Sequence, residues 1–291
     1  MAIAPEAPLT APLSFLAIEI TSRCQMSCPS HCYAQAGPTR GHGAMRTGDW
    51  RRVITEAAGL GATTVQVIGG EPSLRPDFTG LVEHALEVGL RVRVYTNLLR
   101  VRAAHWSLYE HPRVDLACSY YSDDATEHDR VTGRAGSHAA TRGNIVEALR
   151  RGIRVKVGIV ELSGGQRVES ARAEMKNLGV HEVHVDRVRP FGNAAGARLP
   201  DTSALCGRCG NQRAAILPDG QVAVCEMGRH LTAGSVAGGT SLASVLGSAR
   251  WAAMAASVPR RTSTDPCAPD CEPSASDSCA PAKAKPCGPM G

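Results

Sequence analysis

Short apolar runs, many of them β-branched, recur along the first two-thirds of the chain, at 16–20, 64–68, 90–95, 114–119, 153–160 and 181–188. Each has the length and character of a strand. Between them, apolar residues return every three or four positions, the period of a helix with one buried side. Phe78, Leu81, Val82, Ala85 and Leu86 mark such a helix over 77–89. Ile145, Val146 and Leu149 mark a second over 138–152, and Val168, Ala171, Met175 and Leu178 a third over 166–179. Each ends on a glycine (Gly89, Gly152, Gly179), the residue that best closes a helix. Six strands alternating with helices predict a parallel α/β sheet, either doubly wound or curved into a partial barrel. In both architectures ligands bind at the C-terminal ends of the strands.

The pattern changes near residue 192. Residues 192–201 are rich in Gly, Ala and Pro and read as a linker. Cys206 and Cys209 follow, then two apolar stretches separated by Asp219-Gly220, a hairpin signal, with Cys225 at its far end. Cysteines at both ends of a hairpin are neighbours in space, as in a metal knuckle. A short helix is predicted within 241–258. From 261 the chain is a Ser, Pro, Ala and Asp-rich tail that repeats Cys-x-Pro at Cys267, Cys271, Cys279 and Cys287. Its composition predicts disorder, while its thiols suggest that metal ties down part of it. The expected organisation is an N-terminal extension (1–12), a main domain (13–192), a small Cys-rich domain (202–260) and the tail (261–291).

A chain of 291 residues with 43% hydrophobic content can bury a large core. The net charge of +5 comes from Lys and Arg interspersed with Asp and Glu. No basic run marks a nucleic-acid groove, and 4% aromatics is thin for base stacking, so the charge reads as a solvated surface. No early segment has the form of a signal peptide and none is long enough to cross a bilayer, which predicts a cytoplasmic protein. In that reducing compartment eleven cysteines point to metal or redox chemistry before disulfides.

Cys24, Cys28 and Cys32 crowd into nine residues just after the first strand. Three thiolates can hold three irons of a [4Fe–4S] cluster and leave the fourth open to a ligand. A zinc site with His31 as fourth ligand, or a set of disulfides, are the alternatives that these residues alone leave open. The same strand-end rule places Gly69-Gly70-Glu71-Pro72, Thr96-Asn97 and Ser119 around one shared mouth. His184 and Asp186 alternate on one strand and share a face. Cys118 lies within a strand and reads as a core residue.

In this order the motifs resemble the radical S-adenosylmethionine (SAM) superfamily with a C-terminal auxiliary-cluster extension of the SPASM or twitch type, over roughly residues 13–258. The Cys triad is followed by aromatic Tyr33, Gly69-Gly70-Glu71-Pro72 matches the family's GGEP, and Glu127-His-Asp-Arg-Val-Thr-Gly133 matches the segment after the fourth strand. Cys209, Gly220 and Cys225 fit the opening of the auxiliary domain. The resemblance implies a partial (β/α)6 barrel followed by a small auxiliary domain with a β-hairpin and short helix. It implies a [4Fe–4S] cluster on Cys24, Cys28 and Cys32, and SAM contacted by Tyr33, Gly69, Gly70, Glu71, Asn97 and Ser119. It further implies at least one auxiliary iron–sulfur cluster drawn from Cys206, Cys209, Cys225, Cys267, Cys271, Cys279 and Cys287. Two departures stand out. The triad spacing is three and three residues where three and two is usual, so Ser30 or His31 must bulge outward. The tail spacings differ from the standard auxiliary pattern.

The activity so implied is reductive cleavage of SAM to a 5′-deoxyadenosyl radical and hydrogen abstraction from an unactivated C–H. The expected substrate is a ribosomally made peptide, and the electron source a ferredoxin or flavodoxin. A radical epimerase or dehydrogenase of a small sugar-type natural product is the alternative, in which Cys225, if not a ligand, could return a hydrogen atom. A non-catalytic iron–sulfur or zinc protein is the alternative of another class. It would have no need of the strand-end set at Gly69, Asn97 and Ser119.

Overall fold

The computed structural model describes residues 12–260, so the four tail cysteines lie outside the described residues. In chain order β1 (Phe15–Glu19), α1 (Thr47–Gly59), β2 (Thr64–Ile68), α2 (Phe78–Glu87), β3 (Arg91–Tyr95), α3 (Ala103–Tyr109) and β4 (Val114–Tyr120) alternate. They are followed by α4 (Ala125–Thr132), α5 (Ser137–Arg150), β5 (Val155–Glu161), α6 (Val168–Asn177) and β6 (Glu182–Arg187). The six predicted strands pair in parallel and in sequence order, β1 through β6.

Strand alternation explains which face is covered. Leu16, Ile18, Val65, Val67, Val92, Val94, Leu116, Cys118, Val155 and Val157 belong to one large core with the helix residues. Cys118 is thus a packing residue. The intervening positions, among them Ala17, Ile68 and Tyr95, form a separate small cluster on the opposite face. Sequence-order pairing without a reversal, with helices on one face, selects the half-barrel over the doubly wound sheet. Helix α1 escaped the sequence reading although its buried Trp50, Val53, Ile54 and Ala57 sit at ideal helical spacing. Burying each of the three large ones contributes about 1.5–3 kcal/mol.

The predicted hairpin forms from β7 (Arg213–Ile216) and β8 (Gln221–Ala223), with β9 (Thr232–Ser235) added beside it. It does not stand apart from the main sheet. β7 pairs in parallel with β1, giving one nine-stranded sheet in the order β6-β5-β4-β3-β2-β1-β7-β8-β9. The predicted helix over 241–258 is broken into α7 (Leu242–Leu246) and α8 (Ala249–Ala256), because Ser248 caps the second one by accepting from Trp251 N at 3.1 Å. Among the described residues no helix is long and apolar enough to cross a membrane.

Candidate active site

The C-terminal ends of the strands open onto a cavity of about 240 Å³. Cys24, Cys28, Cys32, Tyr33, Gly69, Gly70, Asn97 and Ser119 all line it, so the strand-end rule gathered residues spread over almost a hundred positions. Asp186 lines it as well. His184 does not, and its ring turns to Glu182.

The Cys loop owes its shape to a tight turn. Cys28 adopts φ +39°, unusual for a residue with a side chain, and its carbonyl accepts from Cys32 N at 3.3 Å. The extra residue of the loop is resolved: Ser30 is exposed, whereas His31 is half-buried and lines the cavity. His31 Nε2 lies 2.8 Å from Tyr121 Oη, and burial pushes the imidazole down to about 4, so it is neutral. Residues 192–201, read as a linker, brace the loop from outside. Asn193 donates from N to Cys32 O at 3.0 Å and from Nδ2 to Cys28 O at 3.1 Å. Gly192 sits at φ +56° with no room for a side chain: a Cβ there would lie 2.3 Å from Cys32 O.

The three thiols are free, and Cys24 and Cys32 carry donors suited to anionic sulfur. Cys24 Sγ accepts from Met26 N at 3.4 Å and Asn97 Nδ2 at 3.6 Å, and Cys32 Sγ accepts from Ala36 N at 3.4 Å. Burial nonetheless pushes Cys24 and Cys28 up to about 12. Thiolates in such a place need a cation beside them, which bound iron supplies. His31, the fourth ligand a zinc site would need here, is turned to Tyr121 instead. The donors fit a cluster whose irons each take one sulfur.

Gly69 and Gly70 are glycines because the loop presses on the exit of β1. A Cβ on Gly69 would lie 2.6 Å from Thr21 O, and one on Gly70 2.4 Å from Arg23 O. The Glu71 side chain serves the fold of the loop. It does not line the cavity, and its carboxylate is buried as a brace. Oε1 accepts from Ser73 N, Ser73 Oγ and Thr96 Oγ1, and Oε2 from Asn97 N at 2.8 Å. It thereby ties the glycine loop to the Thr96-Asn97 turn.

The Cys-rich segment meets the same cavity. Cys206, Cys209 and Cys225 line it. Cys209 and Cys225 are joined as a disulfide with Cα atoms 5.2 Å apart, and Cys206 is a free buried thiol. Arg260, the last described residue, donates to Gly207 O and Cys209 O at 2.9 Å, so the described chain ends against this segment. The loop after Cys225 is fastened to β1 by an ion pair of Arg229 with buried Glu19. Burial outweighs that partner and raises Glu19 to about 7. The raised value means that the folded state binds this proton more tightly than the unfolded chain. The contribution to stability is complete below about pH 4.5 and is lost as pH rises through about 7. Urea unfolding of the apoprotein should lose about 3 kcal/mol over that interval relative to Glu19→Gln, in which the slope flattens.

Several cavity residues escaped the sequence reading. Tyr121 lies two positions past Ser119 at the end of β4, so the strand-end rule covered it. Glu226 follows Cys225 directly. Gln66 and Tyr95 occupy the inward positions of β2 and β3, a signal legible only once the inner face is known.

A parallel half-barrel whose first strand runs into a three-cysteine loop, facing a GGEP turn and an open cavity, defines a class of iron–sulfur enzymes built to present SAM to a substrate. Residues 18–166 match the radical SAM superfamily, and the chain belongs to it. A PqqA peptide cyclase of Rhodopseudomonas palustris is 39% identical over 131 residues, 44% of this chain and 34% of that protein. One from Ruegeria pomeroyi is 33% identical over 161 residues, 54% of this chain and 42% of that protein. The chain therefore spans well under half the length of these relatives. In fold it is similar to Streptococcus suis SuiB bound to its precursor peptide SuiA (TM-score 0.71, 12% identity, 88% of this chain and 69% of that one). It is also similar to anSMEcpe with bound AdoMet and the Cp18Cys peptide (TM-score 0.65, 13% identity, 86% of this chain and 84% of that one).

Proposed function

We propose that this chain modifies a ribosomally made peptide by radical chemistry at the Cys24–Cys28–Cys32 loop. With a [4Fe–4S] cluster and SAM bound, the site supplies a 5′-deoxyadenosyl radical able to take a hydrogen atom from an unactivated C–H. The observation that carries this reading is the single cavity that joins the triad, Gly69, Gly70, Asn97 and Ser119 to a second wall of Asp186, Arg189 and Glu226. The first set holds SAM: Gly69 and Gly70 offer backbone to its amino end, Asn97 and Ser119 hydrogen-bond its polar groups, and Tyr33 walls the adenine side. Glu71 orients Asn97 from behind. The second wall, with its buried carboxylates, positions the substrate. The names of the relatives and the precursor peptide in SuiB support a peptide in that place.

Residues 13–192 form the catalytic part and residues 202–260 the auxiliary part in this reading. Cys206, with Cys209 and Cys225 as thiolates once their disulfide is reduced, and together with tail cysteines, binds an auxiliary iron–sulfur cluster. The test is anaerobic reconstitution with iron and sulfide, then reductant and SAM, with 5′-deoxyadenosine as the readout. A loaded cluster that yields none overturns the proposal. Removing residues 261–291 should cut iron content by roughly four atoms per chain if the tail supplies ligands, and unchanged iron would exclude it from the site.

A further inference from the structure

The charged side chains that line the cavity do not balance. Arg187 is paired with Glu161 and Arg189 with Asp186, each at 3.0 Å. Arg229, on the loop after Cys225, is held by Glu19. Arg213 lies over the Phe15 ring, 4.9 Å from its centroid, and forms no ion pair with Glu226. Glu226 is the acid left over. It lines the cavity and is only 6% exposed. Among the described residues its carboxylate meets no cation within ion-pair distance and accepts a hydrogen bond only from its own backbone N–H. A carboxylate buried in this way is costly, and buried charges are as a rule paired or bound to metal. Glu226 and Asp186 act on the same two neighbours, Tyr95 and Cys206, and so face one region of the cavity. Val160, Val188 and Met227 line the same cavity and offer apolar surface to an aliphatic stem.

We infer that Glu226 anchors a cationic side chain of the substrate, a lysine or arginine of the peptide. The inference rests on the peptide reading above and names the residue type that the cavity selects. A long basic side chain answers both features of the site: its stem covers the apolar wall and its charge meets the unpaired carboxylate. A neutral side chain would fill the same space and leave Glu226 without a partner. Glu226 stands on the loop after β8, not on the strand ends that carry Gly69, Gly70, Asn97 and Ser119, which places it with the substrate and not with the cofactor. An ion pair so enclosed is screened little by salt, and truncating one partner of it weakens binding by tenfold or more.

The probes are acetylated and amidated Gly-Gly-X-Gly-Gly peptides in which X is lysine, arginine or norleucine. Each is titrated by calorimetry, without reductant, into the full chain reconstituted with iron and sulfide and supplied with SAM. The lysine or the arginine peptide should bind at least roughly tenfold more tightly than the uncharged norleucine peptide, and the tighter of the two identifies the side chain. Glu226→Gln, which keeps the shape, should erase that preference, while Glu226→Asp, which keeps the charge, should retain most of it. Iron content and SAM affinity should be the same in wild type and Glu226→Gln. Equal affinity for the three peptides, or a preference that survives Glu226→Gln, overturns the anchor. So does a loss of iron in that variant, which would make Glu226 a cluster ligand, or a loss of SAM affinity, which would turn it toward the sulfonium. The radical reading fails separately. A protein that yields no 5′-deoxyadenosine yet shows the Glu226-dependent preference keeps the anchor, and one that cleaves SAM without the preference loses only the anchor.

Discussion

Alanine at Cys24, Cys28 or Cys32, each changed alone, is expected to reduce 5′-deoxyadenosine formation to the level of a protein-free control. One iron loses its only protein ligand in each case, and the remaining two thiols cannot hold the cube with its open corner intact. Visible absorption and iron content after reconstitution should fall in parallel. Cys118→Ala provides the contrast. That thiol is fully buried in the layer beneath the helices and faces no ligand. It should cost about 1 kcal/mol of stability through a small cavity and leave cleavage in place. Cleavage that survives loss of all three loop thiols would move the chemistry elsewhere.

The second large effect is expected at Glu71, whose side chain braces the glycine loop. Its carboxylate is 1% exposed and accepts from two backbone N–H groups and two hydroxyls. Glu71→Ala leaves the Ser73 and Asn97 amides without partners in a dry place. A buried donor so stranded costs about 1–3 kcal/mol, which sets the total loss at about 3–5 kcal/mol in denaturant unfolding. Because Asn97 also donates to Cys24 Sγ, its displacement should lower SAM affinity in the same variant. Glu71→Gln should fall between the two, since its amide places a donor against donors. Wild-type stability in Glu71→Ala would refute the bracing role.

Much of the fold was legible because it rests on local periodicity. The six strands and the helices at 78–87, 137–150 and 168–177 declare themselves by spacing alone. Asp219-Gly220 likewise announced the hairpin. What escaped was of two kinds. α1 was written plainly in Trp50, Val53, Ile54 and Ala57 and was overlooked between two stronger motifs. The pairing of β7 with β1, by contrast, joins residues almost two hundred positions apart, and no local pattern encodes it. The same holds for residues 192–201. Their Gly and Ala content suggests slack chain, yet Gly192 is required by its contact with Cys32 and Tyr33, and Asn193 by two loop carbonyls.

The sequence by itself determined the ligand types and the strand ends on which they stand, because thiol chemistry and strand period are properties of short segments. Only the tertiary structure decided that the Glu71 carboxylate faces inward, that Ser30 and not His31 turns out, and that Asn193 braces the Cys loop from more than 160 positions away. Those outcomes depend on which surfaces the parallel sheet presses together, and steric exclusion and charge act through space without regard to position along the chain.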